Sequence, residues 1–214
     1  MTLREYVDSL QNKTVAVLGI GVSNTPLVRL LLDSGIRVTA CDRRAREELG
    51  ALADELERAG CGLRLGPDYL KGLHEDVIFR TPGLRPDVPQ IAAAVADGSV
   101  LTSEMEAFFQ VCPCPIIAVT GSDGKTTTTT IIAELLKASG RTVWLGGNIG
   151  HPLLCDAGRM QPHDYAVLEL SSFQLMTMDR SPHIAIVTNL APNHLDMHKD
   201  MAEYVSAKEN IFRH

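Results

Sequence analysis

The chain has 214 residues, of which 45% are hydrophobic and 21% charged, and its formal net charge is −6. This composition is typical of a globular protein, and the negative charge argues against a protein that coats nucleic acid, since such proteins usually carry a basic face. No apolar run approaches the ~18 residues that a membrane span needs, and the first residues lack the apolar core of a signal peptide. The five scattered cysteines, odd in number, predict a reduced, cytoplasmic protein without disulfides.

The first half of the chain begins with a pattern typical of nucleotide-binding β-α-β units. Residues 14–18 form a short apolar strand, which is followed by Gly19-Ile-Gly21-Val22-Ser23 and then by a helical pattern. A second strand over residues 36–41 ends in Asp42, about 20 residues after the glycines, as in the Rossmann layout. The fingerprint is incomplete, because Asn24 stands where a third glycine would lie. Arg43 and Arg44 follow the acid and suit either a phosphate or base contact or a solvated surface.

The remaining elements of the first half also alternate between strand and helix, which predicts a parallel sheet. They are a helix over 45–59, strands over 62–65, 76–80 and 99–101, and helices over 88–96 and 103–109. The strand over 76–80 ends in Thr81-Pro82-Gly83, at the sheet edge where parallel sheets bind ligands, although a plain turn explains the same residues.

A proline-rich segment separates the two halves. Pro113 and Pro115 exclude a continuing helix, so we expect one domain over residues 1–111 and another over 112–214. Cys112-Pro-Cys114 lacks the C-x-x-C spacing of a metal or redox pair, and buried small side chains explain it better.

The second half opens with a phosphate-binding pattern. An apolar strand over 116–120 leads into Gly121-Ser122-Asp123-Gly124-Lys125-Thr126-Thr127 and a helix over 126–139. The glycines allow backbone N–H groups to converge on an anion, the lysine adds a charge for the outer phosphates, and the threonine hydroxyl suits Mg²⁺. The positive end of the helix dipole points to the same place. We therefore predict a P-loop ATPase-type domain.

Further polar residues follow the later strands of this half and are expected at the same sheet edge. Strands are predicted over 141–145, 165–174 and 184–188, and a helix over 202–212. The polar residues are Asn148, Glu169, His194 and, on the last helix, Lys208. Each also has a plain explanation: a left-handed turn for Asn148, a buried ion pair for Glu169, a loop hydrogen bond for His194 and a solvated surface for Lys208.

Four blocks together resemble the Mur ligases, the ATP-dependent amide ligases of peptidoglycan precursor synthesis. The blocks are 120–127, 147–150, 168–174, and 189–196 followed by Ala207-Lys208. The Ser-Ser-Phe-Gln-Leu block and the short Gly-Ile-Gly-Val-Ser opening favour the members that add D-glutamate. The family has three domains, so the resemblance implies a Rossmann-like UDP-binding domain, an incomplete central ATPase domain and a missing C-terminal ligase domain.

The resemblance implies a reaction in which ATP phosphorylates the carboxylate of UDP-N-acetylmuramoyl-L-alanine and the amine of D-glutamate attacks the acyl phosphate. The implied catalytic residues are Lys125, His194 and Lys208, the last carbamylated in the family. Two Mg²⁺ ions are implied, with Thr126, Glu169, His194 and Lys208 as the metal-binding residues. The implied ATP-binding residues are Gly121, Ser122, Asp123, Gly124, Lys125, Thr126 and Thr127. The implied substrate-binding residues are Gly19, Gly21, Val22, Ser23, Asp42, Arg43, Thr81, Pro82, Gly83, Asn148 and His194.

Other functions stay open at this point. The chain can be a non-catalytic module that binds a UDP-sugar or ATP, because the ligase domain is missing. It can also belong elsewhere in the superfamily, for example to the folylpolyglutamate synthases, although those begin directly with the ATPase domain. We expect a monomer with no nucleic-acid or membrane partner.

Overall fold

The computed structural model describes residues 1–192 and 197–214. The chain folds into two compact units, the first formed by Leu3–Ala107 with Met1 and the second by Phe108–His214 with Thr2. Each unit is built on its own parallel sheet, in agreement with the predicted α/β class. No helix in the described part of the chain is long and apolar enough to cross a membrane.

The first unit has a five-stranded parallel sheet in the order β3-β2-β1-β4-β5. The strands are β1 (Thr14–Leu18), β2 (Arg37–Asp42), β3 (Gly62–Leu65), β4 (Val77–Arg80) and β5 (Val100–Thr102). The helices are α1 (Leu3–Ser9), α2 (Asn24–Asp33), α3 (Arg46–Leu49), α4 (Ala51–Arg58), α5 (Pro89–Ala96) and α6 (Glu104–Val111). The apolar run of β1 is buried because a central parallel strand is covered on both faces.

The strand order reverses between β1 and β4, since the chain runs outward through β2 and β3 and then returns to the other side of β1. Loops at the carboxyl ends of the two strands that flank such a reversal form the usual ligand crevice of these sheets. Here the two loops begin at Gly19 and Thr81. The fold therefore places both predicted substrate loops at one crevice.

The predicted single helix over 45–59 was wrong, because the structure has two helices there. Gly50 interrupts them with φ 52° and ψ −129°, a conformation outside the helical region. The sequence pattern also did not indicate α1, a seven-residue helix that buries Tyr6 and Val7.

The second unit has a four-stranded parallel sheet in the order β7-β8-β6-β9. The strands are β6 (Ile116–Thr120), β7 (Val143–Gly147), β8 (Tyr165–Glu169) and β9 (Ile184–Val187). The helices are α7 (Lys125–Ala138), a 3₁₀ helix (Leu154–Arg159), α8 (Ser172–Leu175) and α9 (Met201–Glu209). Strand β6 is buried along its whole length, and the phosphate loop follows its carboxyl end.

Two predicted elements of this unit end earlier than expected. The strand predicted over 165–174 stops at Glu169, because Ser171 caps the short helix α8 through the backbone N–H of Gln174. The helix predicted over 202–212 ends at Glu209. Cys112 and Cys114 are both free thiols with their sulfur atoms 3.6 Å apart, and Cys114 is the buried one.

Candidate functional site

A cleft of about 540 Å³ lies at the strand reversal of the first unit. Its lining contains predicted and unpredicted residues: Gly19, Gly21, Asp42, Arg43, Arg44, Tyr69, Thr81, Gly83 and Leu84. Gly19 has φ +86°, and a Cβ atom there would lie 3.0 Å from Cγ2 of Thr81. A glycine is therefore needed where the two loops meet. Arg44, Tyr69 and Leu84 were missing from the predicted substrate-binding set.

The Asp42 carboxylate joins the loops that follow β1 and β2 through hydrogen bonds. Its carboxylate accepts hydrogen bonds from the N–H of Ile20 (2.7 Å), the N–H of Arg44 (3.0 Å) and the Arg44 guanidinium (2.8 and 2.9 Å). Burial alone would raise the pKa of Asp42, but these hydrogen bonds outweigh it and lower the pKa to about 2. The carboxylate is thus ionised and orders the loop, while contact with a uracil or ribose stays a prediction.

Asn24 explains the incomplete glycine fingerprint. It is 2% exposed, and its Nδ2 donates to the backbone oxygens of Leu18 (3.1 Å) and Gly19 (3.0 Å). The side chain thereby fastens the loop to the first turn of α2. Val22, by contrast, is 80% exposed on that loop, and the carbonyl oxygen of Pro82 accepts a hydrogen bond from Nη1 of Arg80.

The phosphate loop of the second unit has the backbone that anion binding requires. Gly121 and Gly124 have φ +146° and +77°, and a Cβ atom on Gly121 would lie 1.9 Å from Oγ1 of Thr188. The loop is held by Thr188, whose hydroxyl donates to the backbone oxygen of Asp123 (2.6 Å), and by Asn189, whose Oδ1 accepts from the Asp123 N–H (3.0 Å). Asp123 and Thr127 are exposed on the loop and on the first turn of α7.

Lys125 folds back over the loop that precedes it. Its Nζ donates to the carbonyl oxygens of Gly121 and Ser122, each at 2.9 Å. Ser122 is buried, and its hydroxyl lies 2.9 Å from the Tyr204 hydroxyl and donates to the backbone oxygen of Ala191 (2.8 Å). The lysine charge is therefore held at the mouth of the loop, where outer phosphates of a nucleotide would lie.

Glu169 accepts hydrogen bonds from two other predicted residues, Thr126 and Asn148. Its Oε2 accepts from the Thr126 hydroxyl (2.6 Å) and its Oε1 accepts from Nδ2 of Asn148 (3.0 Å). The carboxylate is 2% exposed. A hydroxyl and a carboxylate oxygen at hydrogen-bonding distance are hard ligands of the kind that Mg²⁺ selects. These two residues fit a magnesium ion, and Asn148 orients the carboxylate.

Lys208 lies buried in the same unit rather than on the surface. Its Nζ donates to the Thr120 hydroxyl (3.2 Å) and to the Gly121 carbonyl (2.9 Å), and it lies 4.7 Å from the ring centroid of Tyr204. Burial and the charge of Lys125 lower the pKa of Lys208 to about 8, although Glu169 acts in the opposite direction. The solvated-surface explanation for this residue is therefore wrong.

A small cleft of about 160 Å³ is bordered by three of the predicted residues, Lys125, Asn148 and Lys208. The lining residues are Lys125, Asn148, Ser171, Ser172, Phe173, Tyr204 and Lys208. The sequence did not predict Tyr204 or Phe173 here. The capping-box pattern Ser171-x-x-Gln174 could have shown that the chain turns into a helix at this edge.

The predicted His194 lies outside the described residues. Within residues 1–192 and 197–214, no group of three or more His, Cys, Asp or Glu side chains is placed to hold a metal ion. The structure thus brings together Lys125, Thr126, Asn148, Glu169 and Lys208, while the role predicted for His194 stays a prediction.

Comparison with known proteins gives one family and several close relatives. A model of the Mur ligase middle domain matches residues 119–214. A UDP-N-acetylmuramoylalanine--D-glutamate ligase of Clostridium botulinum is 53% identical over 211 residues, covering 98% of this chain and 46% of the relative. A protein of the same name from Clostridium novyi is 51% identical over 214 residues, covering 100% and 47%. The chain therefore spans about half the length of the relatives that it matches.

Solved structures agree at the level of the fold. A UDP-N-acetylmuramate:L-alanyl-gamma-D-glutamyl-meso-diaminopimelate ligase from Neisseria meningitides is 20% identical with a TM-score of 0.55, covering 94% of this chain and 68% of its own. A UDP-N-acetylmuramate-alanine ligase from Thermotoga maritima is 22% identical with a TM-score of 0.52, covering 94% and 47%. The two-sheet α/β architecture is shared with both.

Proposed function

We propose that the chain belongs to the Mur ligase family and carries the UDP-substrate and ATP-phosphate sites of a ligase that adds D-glutamate to UDP-N-acetylmuramoyl-L-alanine, because a model of the family's middle domain matches residues 119–214 and two relatives named for this reaction are 53% and 51% identical over 98% and 100% of the chain. The observation that carries this proposal is the 53% identity over 211 residues to relatives named for that reaction. The sites described above support it, since in each unit a loop at the carboxyl edge of the sheet borders a cleft.

The proposed reaction needs concentrated positive charge, because a carboxylate is a poor electrophile and must approach the anionic γ-phosphate of ATP. The carboxylate oxygen of the substrate forms a bond to the γ-phosphorus, and ADP leaves. The D-glutamate amine then attacks the carbonyl carbon of the acyl phosphate, the amide bond forms, inorganic phosphate leaves, and the amine proton is lost to a base.

We assign roles from the contacts in the second unit. Lys125 exchanges its bonds to the Gly121 and Ser122 carbonyls for the outer phosphates of ATP. Thr126 and Glu169 would hold Mg²⁺, which would neutralise phosphate charge there. Asn148 keeps Glu169 in the orientation that this requires. A second Mg²⁺ at His194 and Lys208 is part of the same proposal.

Lys208 suits the modification that the family resemblance implies. A lysine with a pKa of about 8 has an appreciable neutral fraction near neutral pH. The neutral amine forms a C–N bond with carbon dioxide and releases a proton, so a cation becomes a carbamate anion. The Lys208 ammonium is repelled by Lys125, whereas the carbamate is attracted to it. The carbamate oxygen would also serve as a metal ligand.

The first unit is proposed to hold the UDP part of the substrate. The diphosphate would lie between the Gly19 loop and the Thr81 turn, both of which line the cleft. Arg43 and Arg44 lie on the same cleft and supply positive charge. The same proposal includes a monomer in the cytoplasm with no nucleic-acid or membrane partner.

The test has a binding arm and a turnover arm. Calorimetry measures binding of UDP-N-acetylmuramoyl-L-alanine to the 214-residue chain, with UDP-N-acetylglucosamine as the comparison ligand. Phosphate release from ATP is measured with D-glutamate, with L-glutamate as the control, both alone and with the C-terminal half of the Clostridium novyi relative added in trans. Release specific to D-glutamate supports the proposal, and no binding together with no release in either mixture would overturn it.

The two alternative functions receive less support. The relatives are named as D-glutamate ligases rather than folylpolyglutamate synthases, and a five-stranded Rossmann-like unit precedes the ATPase-type unit. A non-catalytic binding module remains the outcome of the test in which the chain binds the UDP-sugar and no mixture releases phosphate.

A further inference from the structure

Arg80 is the largest side chain in the described part of the chain among those that are almost completely buried, with only 1% of its surface exposed. It is the last residue of β4, directly before the Thr81-Pro82-Gly83 turn. Arginine is rarely buried to this extent unless its charge and donors are used. Its position at the end of a strand next to the crevice suggests a role in shaping that crevice.

The guanidinium holds the turn from its inner side. Nη1 of Arg80 donates to the carbonyl oxygens of Pro82 (3.2 Å) and Leu84 (3.1 Å). The turn is also closed by a hydrogen bond from the Leu84 N–H to the Thr81 oxygen (3.0 Å). With both carbonyls directed inward, Thr81, Gly83 and Leu84 present their other atoms to the cleft.

Glu106 carries a negative charge that acts on the buried Arg80 guanidinium. Burial lowers the pKa of Arg80, and the Glu106 carboxylate acts against that effect. Glu106 is itself 7% exposed and lies in the first turn of α6, where its N–H donates to the Ser103 hydroxyl (3.2 Å). Removing one charge of such a pair costs more than removing both, because a lone charge is left in the interior.

We propose that Arg80 is a positioning residue for the diphosphate-binding turn, through its hydrogen bonds to the carbonyl oxygens of Pro82 and Leu84. The inference rests on the proposed function, because it assigns the turn to the UDP part of the substrate. Arg80 does not touch the ligand itself. It fixes the backbone of residues 81–84 before binding, so that the ligand does not have to order the turn when it arrives.

The test compares two sets of opposite charges in the first unit, Arg80 with Glu106 and Arg64 with Glu75. The double variant Arg80→Met/Glu106→Leu removes both charges and the hydrogen-bond donors of the guanidinium. It should fold even if Arg80→Met alone does not, because it leaves no lone charge in the interior. The matched control is Arg64→Met with Glu75→Leu, which removes a 2.9 Å ion pair whose members do not line the cleft. The probe is UDP, with affinity measured by calorimetry and backbone exchange by hydrogen–deuterium exchange.

We expect the Arg80/Glu106 double variant to lower UDP affinity about tenfold or more and to speed exchange of the Thr81, Gly83 and Leu84 amides. The control pair should leave both unchanged. The single variant Arg80→Lys should have a UDP affinity between those of the unmodified chain and the Arg80/Glu106 double variant. Lysine keeps the positive charge but lacks the planar guanidinium that donates several hydrogen bonds in a fixed geometry.

The outcomes separate this inference from the function on which it rests. Unchanged exchange at residues 81–84 in the Arg80/Glu106 pair overturns the inference, as does a UDP affinity equal to that of the control pair. Absence of UDP binding by the unmodified chain overturns the proposed UDP site instead, and the exchange measurement then still decides whether Arg80 orders the turn.

Discussion

The Thr126 hydroxyl donates a 2.6 Å hydrogen bond to Oε2 of Glu169, which joins the first turn of α7 to the carboxyl end of β8. The bond brings together two residues that are 43 positions apart in the chain. They are the two hard oxygen groups that fit Mg²⁺, and Lys125 and Lys208 border the same small cleft with Asn148.

Glu169→Gln is expected to weaken binding of MgATP about tenfold to a hundredfold, since the carboxylate that we propose as a metal ligand loses its charge. Binding of ADP in the presence of a chelator should change little, because Lys125 and the loop N–H groups remain. Calorimetry with and without magnesium measures both. Glu134→Gln, on the exposed side of α7, is the control, and an equal loss of ADP affinity without metal would contradict the assignment.

Gly121→Ala is expected to destabilise the second unit by at least about 2 kcal/mol. The new Cβ would lie 1.9 Å from Oγ1 of Thr188, at a φ of +146°. Gly140→Ala, at φ +81° but with open space around the Cβ, should cost only about 1 kcal/mol, from the backbone conformation alone. Urea unfolding of both variants gives the difference, and equal losses would show that contact with Thr188 does not matter.

Asp42 is expected to make stability depend on pH in the acid range. Its pKa falls from 3.8 to about 2 on folding, because its hydrogen bonds to Arg44 and Ile20 outweigh the effect of burial. A lowered carboxyl pKa stabilises the fold above pH 3.8, and that contribution is lost as pH falls toward 2. The loss amounts to about 2 kcal/mol. Denaturant unfolding of Asp42→Asn between these pH values should lack this loss, and parallel curves for both proteins would contradict the prediction.

Lys208 is expected to make stability rise with pH in the alkaline range, the same direction that Asp42 gives in the acid range. Its pKa falls from 10.5 to about 8 on folding, mainly through burial and the nearby Lys125. The unfolded chain then binds more protons between these values, so stability rises with pH through that range, by about 3 kcal/mol in total. The measurement uses buffer free of carbon dioxide and compares Lys208→Met, for which the rise should be absent. A rise of the same size in the variant would assign it to another group.

The strands and their loops could be predicted because apolar runs and glycines are local signals. The argument that polar residues after parallel strands meet at one edge correctly joined Lys125, Asn148 and Glu169. Lys208 needed the family resemblance, since a lysine on a helix has no local sign of burial. Arg80 and Tyr69 were missed because their long side chains act at some distance from their backbone positions. The sequence pattern of β4 and of the loop before it does not show what the end of such a side chain contacts.

Two errors had visible causes in the sequence. Gly50 splits the helix predicted over 45–59, and a glycine in a helical pattern is a weak signal on its own. The strand predicted over 165–174 ran past Glu169 because apolar residues continue, although the Ser171-x-x-Gln174 capping pattern was present.

Asn24 has a consequence for how such loops are searched for and redesigned. A pattern search that demands a third glycine rejects this loop, yet the amide of Asn24 ties two loop carbonyls to the start of α2. An engineer who completed the glycine pattern with Asn24→Gly would remove both of those bonds and add backbone freedom. The sequence would then match the glycine pattern better, but the loop would be held less firmly in its conformation.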